Sequence, residues 1–156
     1  MLLTNHVLTG IVLGLTIDNP VLLAPTAVAS HLVLDMTPHF GLPGTKPDHP
    51  NFRTRSFIVL GALDFTASII VVAAACIIWP QRALNILVGT VGAALPDLTY
   101  IPLVVFGKLV YKLMPWYRTM ISFLARIQWY EKPPGLITEV VWASLMLYLL
   151  SAAYRL

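Results

Sequence analysis

The chain has 156 residues, 58% of them hydrophobic and 11% charged, with a formal net charge of +3 and a mean hydropathy of +0.79. A soluble domain carries roughly 25% charged residues, so this composition excludes a free-standing water-soluble domain. Membrane crossings of about 20 residues each would use up the length as one integral membrane domain, residues 1–156, and the surplus of ten Lys and Arg over seven Asp and Glu reads as topology and anionic-lipid contact, not nucleic-acid binding.

In chain order, a first apolar segment runs from about Leu3 to Ile17 and ends at the turn signal Asp18-Asn19-Pro20. Ala27-Val28-Ala29 resembles a signal-peptide cleavage site, but no Lys or Arg precedes the first apolar run and Asp18-Asn19-Pro20 interrupts it. This stretch is therefore expected to be retained as structure. A second segment, Val21 to Met36, stops at Thr37-Pro38, where proline cannot continue a helix. Both are short for full spans and predict a tight, tilted or incompletely crossing hairpin. The stretch from His39 to Arg55, with its prolines and glycines, reads as a loop.

A full-length segment from Phe57 to Trp79 follows, closed by Pro80. Its single Cys76 reads as a small buried hydrophobe; one cysteine excludes an internal disulfide and a thiolate zinc site. The fourth segment starts near Arg82 and runs through Leu95, with Pro96 and Pro102 predicting a kink. Residues 106–134 mix cations with Trp116, Tyr117, Trp129 and Tyr130, the composition of an amphipathic helix lying along the headgroups. The last membrane helix is expected over residues 136–154.

The expected fold is thus all-α: a polytopic membrane helix bundle of about five helical membrane segments plus an interfacial helix. The first four form two pseudo-repeated hairpins, residues 3–39 and 57–102. Each presents a polar residue (His6, Asp64) early in one helix and Asp-x-Thr (Asp35, Asp97) late in the next; such parallel repeats share an axis along the membrane normal. The 39–55 loop and the 106–132 region hold eight of the ten cations. By the positive-inside rule that side is cytoplasmic, together with the N-terminus and the polar site. A bacterial-type inner (plasma) membrane is the expected location.

Ionisable groups inside membrane segments are functional candidates by default. His6 lies twelve residues before Asp18, Asp35 fifteen after Pro20, Asp64 sixteen before Pro80, and Asp97 fifteen after Arg82. These spacings correspond to a rise of about 18–24 Å, so four successive helices place a polar group in one layer. His31 and Asp35 are four apart and share a helix face, and His39 follows directly after Pro38. Imidazole and carboxylate without thiolate suit a divalent metal ion, Zn²⁺ first, with Mn, Fe or Mg as alternatives. The candidate ligands are His6, His31, Asp35, His39, Asp64 and Asp97. Asp64 and Asp97 are also the candidate general bases, and Lys46, Arg53 and Arg55 can hold a phosphate headgroup. Glu139 reads as interfacial, and Asp48 and His49 as solvated loop residues.

The segment Ser30-His31-Leu32-Val33-Leu34-Asp35-Met36-Thr37-Pro38-His39 resembles the Ser-His-x-x-x-Asp-x-x-x-Pro element of the YdjM-like membrane-bound metal-dependent hydrolases. Ala94-Leu95-Pro96-Asp97 is similar to that family's Leu-Pro-Asp segment, and His6 with Gly10 and Gly14 to its N-terminal His-x-x-x-Gly element. The resemblance covers three short stretches and implies His6, His31, Asp35 and Asp97 as ligands; Asp64 rests on the depth argument. The expected function is a membrane-embedded metal-dependent hydrolase acting on a lipid or lipid-linked ester or phosphoester. Two alternatives use the same acidic layer without hydrolysis: a proton or metal-ion pathway, and an accessory subunit of a larger membrane complex. The expected partners are membrane lipids, with self-association or a membrane-complex partner as further alternatives.

Overall fold

The computed structural model describes residues 1–41, 54–128 and 132–155, and among them every regular element is helical. Helix α1 (Leu3–Thr16) has no side-chain cap from its own flank. Asp64, from another helix, supplies one by accepting hydrogen bonds from the backbone N–H of Leu3 and Thr4. At the other end Asn85 donates to the carbonyls of Ile17 and Asp18. Helix α2 (Pro20–Asp35) starts with Pro20 at its first position, and Asn19 accepts from Val21 N–H at 2.9 Å.

Thr54 caps helix α3 (Arg55–Ile78), accepting from Phe57 N–H. A 3-10 turn at Pro80–Arg82 leads into α4 (Ala83–Leu98), which contains Pro96. After a turn at Thr99 and Tyr100 the chain continues as α5 (Ile101–Phe106). The stretch expected as one interfacial helix is two, α6 (Leu109–Leu113) and α7 (Pro115–Ile127). Gly107, at a φ of 59°, breaks the chain before α6, and Pro115 opens α7 at a position a helix interior would not accept. In α7 the residues Tyr117, Ile121 and Leu124 are buried while Arg118 and Arg126 are exposed, a one-sided pattern at helical spacing. Helix α8 (Leu136–Tyr154) follows a 3-10 turn at Pro133–Gly135.

Three stretches are long and apolar enough to cross a membrane: Arg55–Ile78, Pro80–Phe106 and Pro133–Tyr154. The most apolar windows of the first and last are only 6% and 11% buried within the chain, as expected of helices bathed in lipid. Helices α1 and α2, of 14 and 16 residues, span about 21–24 Å, less than the ~30 Å of hydrocarbon.

Helix α1 sits at the centre and packs most extensively on α4 and then on α3, while α2 packs chiefly on α4. The main neighbours are therefore not the sequential hairpin partners. Close backbone approach explains this. A Cβ on Gly10 would lie 2.6 Å from the Gly89 carbonyl oxygen, and one on Gly14 would lie 2.6 Å from that of Asn85. Small residues let helices meet in a medium that offers no hydrophobic drive between them. An Asp18–Arg82 ion pair joins the two turns at that end.

Candidate metal centre

Four helix segments bring the polar layer together, and the geometry of one histidine organises it. His31, on α2, is buried. Its Nδ1 lies 2.6 Å from the Ala93 carbonyl oxygen on α4. A carbonyl only accepts, so Nδ1 carries the proton, and a neutral His31 presents its lone pair at Nε2. That nitrogen is 3.1 Å from Asp35 Oδ2 and 3.7 Å from Asp97 Oδ1. Three lone-pair-bearing atoms converge there, an arrangement that needs a cation, either a proton on Nε2 or a metal ion.

His6, on α1, is fully buried and stacks on His31 with ring centroids 3.7 Å apart. Its Nε2 lies 3.1 Å from Asp35 Oδ1, whereas its Nδ1 is buried without a hydrogen-bond partner. An imidazole that gives one N–H to a carboxylate and keeps the other nitrogen free has the arrangement of a histidine oriented for metal binding. His6, His31 and Asp97 each offer a ligand atom within 4.8 Å of the others, and this group can hold a metal ion. The residues present thus fit a cation by their donor chemistry, two imidazoles and a carboxylate.

Asp35 stands beside that group and is 1% exposed. Its Oδ1 accepts from the amino group of Met1 at 2.7 Å and from His6; its Oδ2 accepts from Gln128 Nε2 at 2.7 Å and faces His31 Nε2. Asp64 lies elsewhere in the layer. Its carboxylate accepts from Leu3 N–H (2.7 Å), Thr4 N–H (3.0 Å) and the Thr4 hydroxyl (2.5 Å), so its oxygens are occupied by the first turn of α1. His39 is buried, with Nδ1 donating to the Thr37 carbonyl at 2.8 Å. Burial pushes its imidazole below the ordinary range. Arg55 is exposed at the start of α3. Lys46, Arg53, Asp48 and His49 lie outside the described residues.

Glu139 is buried within the chain. It accepts from Leu2 N–H, Phe40 N–H and the Asn5 side-chain amide, which places α8 against the head of α1. Gln128 also escaped the sequence reading. The signal for it is its register: it continues the buried stripe Tyr117, Ile121, Leu124 of α7, where a polar side chain has a partner to find.

No family model, curated protein or solved structure matches this chain. Asp64, Asp97, His39 and Gln128 line a cavity of about 400 Å³ whose remaining walls are mostly apolar. The side chain of Asp97 is 27% exposed, so this residue belongs both to the candidate metal group and to the cavity surface.

Proposed function

We propose that this chain is a membrane-embedded metal-dependent hydrolase acting on the ester or phosphoester of a lipid or lipid-linked substrate. The observation that carries the reading is the convergence of His31 Nε2 on Asp35 and Asp97 at the edge of an apolar-walled cavity. The motif resemblance to the YdjM-like hydrolases points the same way through His6, His31, Asp35 and Asp97. On this reading His6, His31 and Asp97 hold the ion, Asp35 orients the His6 imidazole, and the Ala93 carbonyl orients that of His31. The nitrogen and oxygen donor set favours Zn²⁺, with Mn, Fe or Mg as alternatives. When bound, such an ion polarises the scissile oxygen and makes water a better nucleophile.

The Asp97 carboxylate oxygen not given to the ion would accept the proton of the attacking water from the cavity side. Asp64, its carboxylate engaged by three donors, positions α1. Arg55, with Lys46 and Arg53 shortly before it in sequence, supplies cations for a phosphate headgroup. All five membrane segments belong to this picture, α1 and α2 as short embedded elements and the first four helices as two repeated hairpins. The cation-rich side with the site faces the cytoplasm of a bacterial-type inner membrane. An ion pathway is less well supported, because beyond the site α1 and α4 pack backbone to backbone at Gly10, Gly14 and Gly89.

The test is elemental analysis of the purified full chain together with a lipid-hydrolysis assay before and after chelation. A stoichiometric divalent metal is expected, lost in His31→Ala, with affinity lowered about 10–100-fold in Asp35→Asn, and with hydrolysis abolished by chelation. A metal-free wild type, or hydrolysis indifferent to chelator, would overturn the proposal.

A further inference from the structure

Helix α3 is used differently along its length. Its buried residues are Ser68 and Ala75, and Val71, Val72, Cys76 and Trp79 pack onto the core that includes Val7, Ile11 and Ile86. Its first half does not join that core. There Phe57, Ile58, Gly61, Asp64 and Phe65 line the cavity, which is closed on the other side by Leu98, Ile101 and Val104 of α4 and α5. Ile58, Phe65 and Ile101 line it and are still 53%, 47% and 50% exposed, so among the described residues the cavity opens sideways between α3 and the α4–α5 stretch. Both walls belong to stretches apolar enough to cross a membrane, and the medium outside such an opening is lipid hydrocarbon.

Gly61 has no evident structural reason to be glycine. The other helical glycines, Gly10, Gly14, Gly89 and Gly92, each sit against a neighbouring helix, but a Cβ on Gly61 would meet nothing within 4 Å. Its φ is not positive. Glycine weakens a helix interior relative to alanine, so its place on the cavity wall calls for another account. Close approach of a ligand to the backbone is one.

We infer that the opening between α3 and α4–α5 is a lateral acyl-chain site, in which one hydrocarbon chain of a membrane lipid lies across Gly61 with its ester or headgroup end toward Asp97. The polarity gradient selects this occupant. The exposed lining residues Ile58, Phe65 and Ile101 are aliphatic and aromatic, while the polar ones, His39, Asp64, Asp97 and Gln128, are buried or half-buried. Only an amphiphile matches both ends, and about 400 Å³ lies in the range of pockets that enclose a small ligand, roughly 300–1,000 Å³. The headgroup half of the assignment rests on the hydrolase reading; the acyl half rests on the groove alone.

The experiment is photolabelling of the full chain in liposomes of phosphatidylcholine and phosphatidylglycerol, with a phosphatidylglycerol bearing a diazirine on one acyl chain. Labelled residues are mapped by mass spectrometry, and metal content is measured on the same samples. Labelling concentrated on Ile58, Phe65, Ile101 and Val104 is expected, above that on the lipid-facing Val140 and Val141 of α8. Gly61→Phe fills the groove and lowers this labelling at least about fivefold, with metal content unchanged, whereas Gly61→Ala leaves it near wild type. His31→Ala removes the metal and leaves acyl labelling in place. The inference is overturned if groove residues label no more than Val140 and Val141, if Gly61→Phe labels like wild type, or if the cross-links join two copies of the chain. A failed metal reading shows instead as a metal-free wild type with groove labelling intact.

Discussion

Asp64 illustrates how a buried acid can be claimed by backbone. The leading N–H groups of α1 have no partner within their own helix, and Asp64 accepts two of them together with the Thr4 hydroxyl, a placement the helix dipole also favours. Asp64→Asn is expected to lower stability by roughly 1 kcal/mol in a thermal melt while metal content holds; loss of the metal would instead make Asp64 a ligand. The turn spacings give the depth of Asp64 from sequence alone. They say nothing of its direction around the helix axis, which depends on α1 packing beside α3. The same gap explains Glu139, whose position near a helix start suits an interfacial glutamate and a buried cap equally well. His31 was more legible, because an i,i+4 pair with Asp35 fixes their relative direction within a single helix.

At the scale of elements, glycine has two opposite meanings in one chain. A Cβ on Gly89 would stand 2.2 Å from the Gly10 carbonyl oxygen, so Gly89→Ala must push α1 and α4 apart, at a cost of about 1–3 kcal/mol. Gly61→Ala meets open space and should be neutral or stabilising by up to ~1 kcal/mol. Thermal unfolding of the two variants in one detergent checks the contrast, and equal destabilisation would contradict it. Helix ends at Asp18-Asn19-Pro20, Thr37-Pro38 and Trp79-Pro80 could be read in advance, because proline and asparagine act through local geometry. The break of the interfacial stretch into α6 and α7 was harder to see. There the mixture of cations and aromatics signals the membrane surface whether the helix is continuous or not.

Across the whole molecule, composition announces a membrane protein without saying which helices cross. Helices α1 and α2 are apolar yet short, and α1 is wrapped by its neighbours where α3 and α8 leave their apolar surface exposed. The distribution of cations makes a testable statement about orientation. In a Cys76→Ala background, Lys112→Cys and Gln81→Cys, both at exposed positions, should react with a membrane-impermeant maleimide from opposite faces. Lys112→Cys should label only from the cytoplasmic side; labelling of both from one side would refute the assigned topology. The lateral order of helices was not legible, since hairpin connectivity favours sequential neighbours and the α1–α4 pairing depends on glycines far apart in the chain.

The head of α1 is completed by borrowed groups, and the furthest lender, Glu139, lies 137 residues beyond the Leu2 N–H it accepts. During biosynthesis α1 leaves the ribosome well before α8. Until α8 arrives, those amides must stay hydrated or be sheltered by the insertion machinery, because bare N–H groups are not tolerated in hydrocarbon. Helix α1, though made before α8, is therefore among the last to settle, and truncation ahead of Glu139 should strand it at the bilayer surface.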